Sequence, residues 1–467
     1  MTLTAFTGAN LVDVQTGTVT PQATVLVRDG RVVAAGSAAS VPTPPDAEVV
    51  DVGGRHLLPG LMDGNVHLLP WPSWTYIEFL ARYEDRFHEI IAEGAQLALK
   101  AGFTSVFDSM GPLDSLIRTR DDIRSGRIAG ARLSVAGNIV GFRAVFVSPE
   151  SMASASAAFQ KRINDRFEAN GGPDLCLLAP RDLFAAMTDY VDQGVDFVKY
   201  GATGDGSPLT SEIGQMNVLR FTPAQQRAIV DAVHARGLIS QTHTTSAESL
   251  HIAVEAGNDM GQHAAFVGRS RLYDETIELM LERGYHCGTQ WAPLTEAQRI
   301  AVQERRFDDP VLRDGHEIDS IEAAVRLIEA GVPQLLTTDA GAIDPDVALD
   351  HHQWGGLGGG ASLMGEAQFL NLQAMEDRGM TPLQLVQAAT INVARAYRVD
   401  ADFGTVEAGK VADFTLLDAD PLSGAAAFRT VSMIVKDGIV VDRDSLPVSP
   451  VLTHSSALEP GAIRSTT

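Results

Sequence analysis

Five residues have the types and placement to do chemistry together: His67, Lys199, His243, His263 and Asp339. Each stands at or just past the C-terminal end of a short apolar run, where reactive side chains sit in a β/α barrel. Three imidazoles, a carboxylate and a lysine would then meet at one mouth. Imidazole and carboxylate suit Zn, Co, Mn or Fe, and no thiolate belongs to the set. Singly, each has a plainer role. A histidine near a strand end is commonly a hydrogen-bonded structural residue. Asp339, in Thr337-Thr338-Asp339, has the right type to cap a following helix. Lys199 would then end an amphipathic strand with its ammonium in solvent. Five such residues at successive strand ends argue for a metal centre.

The elements that must place them recur along the middle of the chain. Apolar runs at Leu57–Met62, Ser105–Phe107, Leu133–Ala136, Phe197–Lys199, Leu238–Gln241, Asp259–His263, Tyr285–Gln290 and Gln334–Thr338 read as strands. Helical stretches include Tyr83–Ala101, Thr222–Arg236, Ala247–Ala256 and Ile318–Ala330. Glycine turns at Gly102, Gly237, Gly257 and Gly331 separate helix from strand, as an αβ connection requires. About eight such alternations predict an α/β fold of the (β/α)8 TIM-barrel type; a doubly wound sheet is the alternative.

The two ends of the chain read differently. Ala5–Val12, Ala23–Val27 and Arg31–Ala35 are short β runs, with Asp29-Gly30 between the last two. Ala412–Leu417, Val431–Val435 and Ile439–Val441 are alike, with Asp437-Gly438 as the turn. Asp-Gly between short strands signals a hairpin. The expected organisation is a small β-sandwich built from residues 1–58 and 396–467, with the barrel over 59–395. The Ser-, Thr- and Pro-rich stretch Pro447–Thr467 reads as an extended tail.

Composition narrows the partners. The chain has 467 residues, 59 acidic against 36 basic, and a net charge of −23. Such a field repels nucleic acid and anionic membranes and suits a neutral or cationic small molecule. Only Cys176 and Cys287 are present, which points to a reducing cytoplasm rather than a disulfide scaffold. There is no long apolar run for a membrane span, and Met1–Ala5 does not open a signal peptide.

Taken in order, several segments resemble the amidohydrolase superfamily: VLVRDGRVVAAG (Val25–Gly36), HLLPGLMDGNVH (His56–His67), VDFVKYGATG (Val195–Gly204), QTHTTS around His243, GQHAAF around His263, LTTDAG around Asp339, and the closing ATINVARAYRV and GTVEAGKVADFTLLD. The resemblance implies one or two divalent transition-metal ions, zinc first, bridged by Lys199 carboxylated on its amine. It implies that His67 and Asp339 hold the buried ion, and His243 and His263 the more exposed one. Bound metal would bring the pKa of water toward neutrality, and Asp339 would move the proton. A homo-oligomer is expected.

One position departs from the family's His-x-His, since the strand ends Asn65-Val66-His67. Asn65 is either a weak ligand that leaves one ion loosely held, or no ligand at all. This Asn-x-His variant is similar to the phenylurea and thiocarbamate (molinate-type) hydrolases, and implies cleavage of an N-aryl urea to an aniline and a carbamic acid. Trp71, Trp74, Phe142, Phe146, Trp291 and Trp354 would suit such an aromatic substrate. His351 and His352 lie with Trp354 in a glycine-rich loop, residues 344–361, which reads equally as a lid and as a plain exposed loop. The alternatives are a thiocarbamate or carbamate hydrolase, a prolidase- or imidazolonepropionase-like amidohydrolase with Arg143 receiving a substrate carboxylate, and a non-catalytic binding protein on the same fold.

Overall fold

The computed structural model describes residues 3–69, 77–142, 156–204, 219–267, 270–289, 291–312, 320–342 and 363–453. Five strands open the chain: β1 (Thr4–Val12), β2 (Val19–Arg28), β3 (Arg31–Ser37), β4 (Glu48–Asp51) and β5 (His56–Pro59). The barrel strands follow as β6 (Leu61–Val66), β7 (Phe103–Asp108), β8 (Arg132–Val135), the short β9 (Ile139–Val140), β10 (Val198–Gly201), β11 (Ser240–His243), β12 (Met260–Gln262), β13 (His286–Thr289) and β14 (Gln334–Leu336). The chain returns through β15 (Phe414–Leu417), β16 (Val431–Lys436) and β17 (Ile439–Val440).

The terminal strands form one eight-stranded sheet in the order β17-β16-β15-β5-β1-β2-β3, with β4 also on β1. The joint between the two ends is β5, parallel to β1 and antiparallel to β15. Both expected hairpins form. Asp29 and Gly30 have φ of 54° and 74°, and Asp437 and Gly438 have 52° and 79°, the left-handed pair that a two-residue turn needs. The sheet folds over until these turns meet, and a Cβ on Gly30 would lie 3.0 Å from the Asp437 carbonyl oxygen. Phe6, Val25, Val27, Phe414, Leu416 and Val435 fill the space between.

The stretch read as a single first barrel strand divides at Gly60. His56–Pro59 belongs to the terminal sheet and Leu61–Val66 to the barrel. Gly60 is needed there, since a Cβ would stand 2.0 Å from Thr104 Oγ1.

The barrel strands run parallel in two arcs, β6-β7-β8 and β9 through β14. The arcs join where Asp196 N donates to Val135 O (2.8 Å) and where Val66 bridges Ala340 in parallel. Every residue of β7 is buried, as expected of a strand covered on both faces. Side chains two apart on a strand share a face, so the barrel interior fills in layers. Phe197, Ile239, Met260 and Leu335 make an apolar floor, with Tyr397 stacked on Phe107 at 3.7 Å. Above the floor Lys199 is paired in register with Gln241, and His243 with Gly201 on one side and Gln262 on the other.

The connecting helices start and stop on local chemistry. Pro223–Ala235 opens with a Thr222–Gln225 capping box, and Ile321–Ala330 ends on left-handed Gly331. The first long helical stretch is broken: Ile77–Tyr83, a 3-10 turn, then Phe87–Lys100. The tail is held rather than loose up to Thr453. Buried Glu93, on Phe87–Lys100, accepts the backbone N–H groups of Val451, Leu452 and Thr453, each at 2.9 Å. Among the described residues no helix is long and apolar enough to cross a membrane.

Candidate metal centre

The five strand-end residues meet at the C-terminal mouth of the barrel, and Asp339 stands between them. His67 Nε2 lies 3.4 Å from Asp339 Oδ1, and His263 Nε2 lies 3.7 Å from Asp339 Oδ2. The His243 and His263 rings meet edge to face, with centroids 5.2 Å apart. Asn65 links the remaining pair: its Nδ2 donates to Asp339 Oδ1, and its Oδ1 accepts from Lys199 Nζ at 3.4 Å. Asn65 Nδ2 also faces Gln262 Oε1 at 3.3 Å. Thus Asn65 and His67 both reach Asp339, although the β6–β7 register shifts between Asp63 and Val66. Asp339 and His263 both sit on left-handed backbone, with φ of 55° and 57°. Such conformations in non-glycine residues persist where the surroundings hold them, and they gather at functional sites.

Burial sets the protonation of the group. It lowers the pKa of His67 against the pull of Asp339, and takes His263 down to about 4. His243 is pushed well below its ordinary value by burial, then by His263 and Lys199. Burial also lowers the Lys199 amine, although Asp339 and Asp108 pull the other way. For Asp339 burial acts upward, but His263, His67 and Lys199 outweigh it and hold the carboxyl below the usual range.

These states fit a bound divalent ion. Burial favours the neutral imidazoles with lone pairs to give, the surrounding cationic groups favour the ionised carboxyl, and burial moves the lysine toward the neutral amine. Among the described residues His243 Nε2 is a buried nitrogen with no hydrogen-bond partner. Among the described residues no three His, Cys, Asp or Glu side chains close on one point, and Asp339 is engaged with Asn65 and the two imidazoles. The fit therefore lies in donor type and protonation.

Residues not singled out from the sequence complete the mouth. Asp63 is fully buried and raised to about 7 by that burial, against hydrogen bonds from Thr338, Asn65 and Gln368. Asp108, at the end of β7, is raised to about 8 in the same way. Both carried a signal: Asp63 lies two residues before Asn65, and Asp108 ends a strand. Gln262 carried none. Its room comes from Gly288, where a Cβ would lie 2.0 Å from Gln262 Oε1.

Phe142 is buried behind His243, at 5.2 Å between ring centroids, in space left by Gly201. Arg220 lies over its other side at 5.0 Å. Trp291 is buried in the main apolar core with Arg378 over its ring at 4.9 Å. Trp71, Trp74, Arg143, Phe146, His351, His352 and Trp354 lie outside the described residues.

The amidohydrolase family model matches residues 56–443. A solved structure of molinate hydrolase is similar with a TM-score of 0.86 and 34% identity, covering 97% of each chain. Phenylurea hydrolase B is similar with a TM-score of 0.84 and 31% identity, covering 97% of this chain and 99% of its own. Ochratoxinase from Aspergillus niger is 25% identical over 385 residues, 80% of this chain and 72% of that protein.

Proposed function

The chain belongs to the amidohydrolase family, and from that premise we propose that it hydrolyses the urea bond of neutral N-aryl ureas. Water adds to the carbonyl carbon and the C–N bond to the aryl nitrogen breaks. An aniline and a carbamic acid leave, and the carbamic acid then loses CO2. The observation that carries this reading is the likeness, over nearly the whole chain, to molinate hydrolase and phenylurea hydrolase B. The Asn65-Val66-His67 strand end and the net charge of −23, which disfavours anionic substrates, support it.

His67, His243, His263 and Asp339 would hold one or two divalent ions, with zinc first. Lys199, as the neutral amine, would take up CO2, release a proton and add an anionic carbamate to that donor set. A bound divalent cation supplies Lewis acidity for a water and for a carbonyl oxygen. Asp339 enters as the anion, takes a proton from the attacking water and returns it to the leaving nitrogen. Asn65 Nδ2 holds Asp339 in place for both transfers. The buried apolar wall of Phe142 keeps bulk water from the back of His243.

The second reading is hydrolysis of a thiocarbamate, favoured by the 34% identity with molinate hydrolase. A panel of N-aryl ureas, N-aryl carbamates, thiocarbamates and acyl dipeptides with metal-loaded enzyme separates these readings. The highest kcat/KM is expected on an N-aryl urea, with stoichiometric aniline. A highest value on an acyl dipeptide overturns both readings.

A further inference from the structure

We infer that Asp63 and Asp108 are positioning residues that hold the backbone beside His67 and Asp339 in the geometry an ion requires. The inference rests on the reading of His67 and Asp339 as metal-holding residues. Both carboxyl groups are fully buried, and both use their two oxygens on the segments that carry those residues.

Asp108 Oδ2 accepts from Leu68 N at 2.8 Å, and its Oδ1 accepts from Met110 N at 3.1 Å. Leu68 follows His67, and the Met110 backbone stands near enough to the His67 imidazole to favour its protonated form. Ser109 N donates to Val66 O at 3.0 Å, so the ends of β6 and β7 are tied on both sides of the histidine. One side chain thereby ties the residue after the histidine to the turn that ends β7.

Asp63 does the same across the seam of the barrel. Its Oδ2 accepts from Thr338 Oγ1 at 2.6 Å and from Gln368 Nε2 at 3.0 Å. Its Oδ1 faces the N–H groups of Asn65 and Thr338, each at 3.3 Å. Thr338 immediately precedes Asp339, whose left-handed backbone needs such support. The Asn65 carbonyl adds a further tie, accepting from Asp339 N at 2.8 Å.

The residue type matters. A buried carboxyl is costly unless hydrogen bonds satisfy it. An asparagine in its place has one acceptor oxygen and an NH2 group that opposes the second set of donors. Partners one shell out from a metal ligand commonly change metal affinity ~10- to 100-fold when removed. A carboxylate that only satisfied local backbone would change stability and leave ion affinity alone.

The test is zinc affinity, measured by competition with a chelating dye on stripped full-length protein in bicarbonate buffer. The variants are Asp63→Asn, Asp108→Asn, Thr338→Val and, as control, Glu93→Gln. Glu93 is equally buried and equally hydrogen-bonded, but its partners are in the C-terminal segment. Asp63→Asn and Asp108→Asn are expected to bind zinc ~10- to 100-fold more weakly. Thr338→Val, which loses the hydroxyl's bonds to Asp63 and from Ala340 N but keeps the Asp63 carboxyl, should show a smaller loss. Glu93→Gln should lower Tm and keep wild-type affinity. Wild-type affinity in folded Asp63→Asn and Asp108→Asn overturns the inference alone. A wild-type chain that binds no zinc overturns the metal reading beneath it. If the two Asn variants do not fold, Thr338→Val decides, and an unchanged affinity there also overturns the inference.

Discussion

Replacing Asp339 by asparagine separates the carboxylate's chemistry from its shape. Asp339 sits at φ 55°, with His67 Nε2 at 3.4 Å and His263 Nε2 at 3.7 Å from its oxygens. Asparagine tolerates left-handed backbone about as well as aspartate, so Asp339→Asn leaves the turn unstrained. Alanine would add a conformational cost of ~1–2 kcal/mol and confuse the result. The amide cannot accept the water proton, and loss of a general base alone costs ~100-fold or more, about 2.7 kcal/mol in the barrier. The loss should appear in kcat, because the proton moves in the transition state and not in the bound complex. The assay is kcat and KM per bound ion, with metal content from elemental analysis and folding from a circular-dichroism melt. A folded, metal-loaded Asp339→Asn chain that turns over within about tenfold of wild type would refute the role given to this carboxylate.

Three further outcomes are expected. Lys199→Ala should lose activity and retained metal, and acetate or propionate plus metal should restore part of both by filling the vacated space; full activity without acid would make the lysine purely structural. Brief chelation followed by elemental analysis should remove one ion before the other, because Asn65, engaged with Asp339 and Lys199, supplies no imidazole to the buried site; two ions of equal resistance would contradict that. His286, on β13, is pushed down to about 4 by burial and Arg395. Its folded pKa lies below the unfolded value of 6.5, so the unfolded chain gains the proton first and stability falls as pH drops from 6.5 through about 4. A shift of that size is worth up to ~3 kcal/mol. His286→Gln should therefore flatten the acid limb of urea-unfolding stability between pH 7 and 4.5, and an unchanged limb would show that this histidine does not drive it.

Much of the molecule was legible because the relevant physics is local. Asp29-Gly30 and Asp437-Gly438 announce their hairpins, since few residue pairs accept left-handed backbone at both positions. Glycine after a helix announces the return to a strand, as at Gly331. His67, His243, His263, Lys199 and Asp339 were recognisable by position, because parallel barrel strands all bring their C-terminal ends to one face. Strand limits were less legible. Ser240–His243 ends later than its apolar run, because polar residues are tolerated where a strand lines an interior site.

The sequence by itself determined the alternation of strand and helix, the pairing of the two chain ends and the set of donor atoms, because each follows from residue type and short-range spacing. Only the tertiary structure decided which groups touch. Asp63 meets Thr338 across 275 positions, and Asn65 meets Lys199 across 134. Glu93 receives the backbone of Thr453 across 360 positions. Gly60, Gly201 and Gly288 are small because Thr104, Phe142 and Gln262 occupy the space beside them. Such contacts depend on how the barrel closes and the chain end returns, and no local pattern of residue types encodes which distant partner fills a given space.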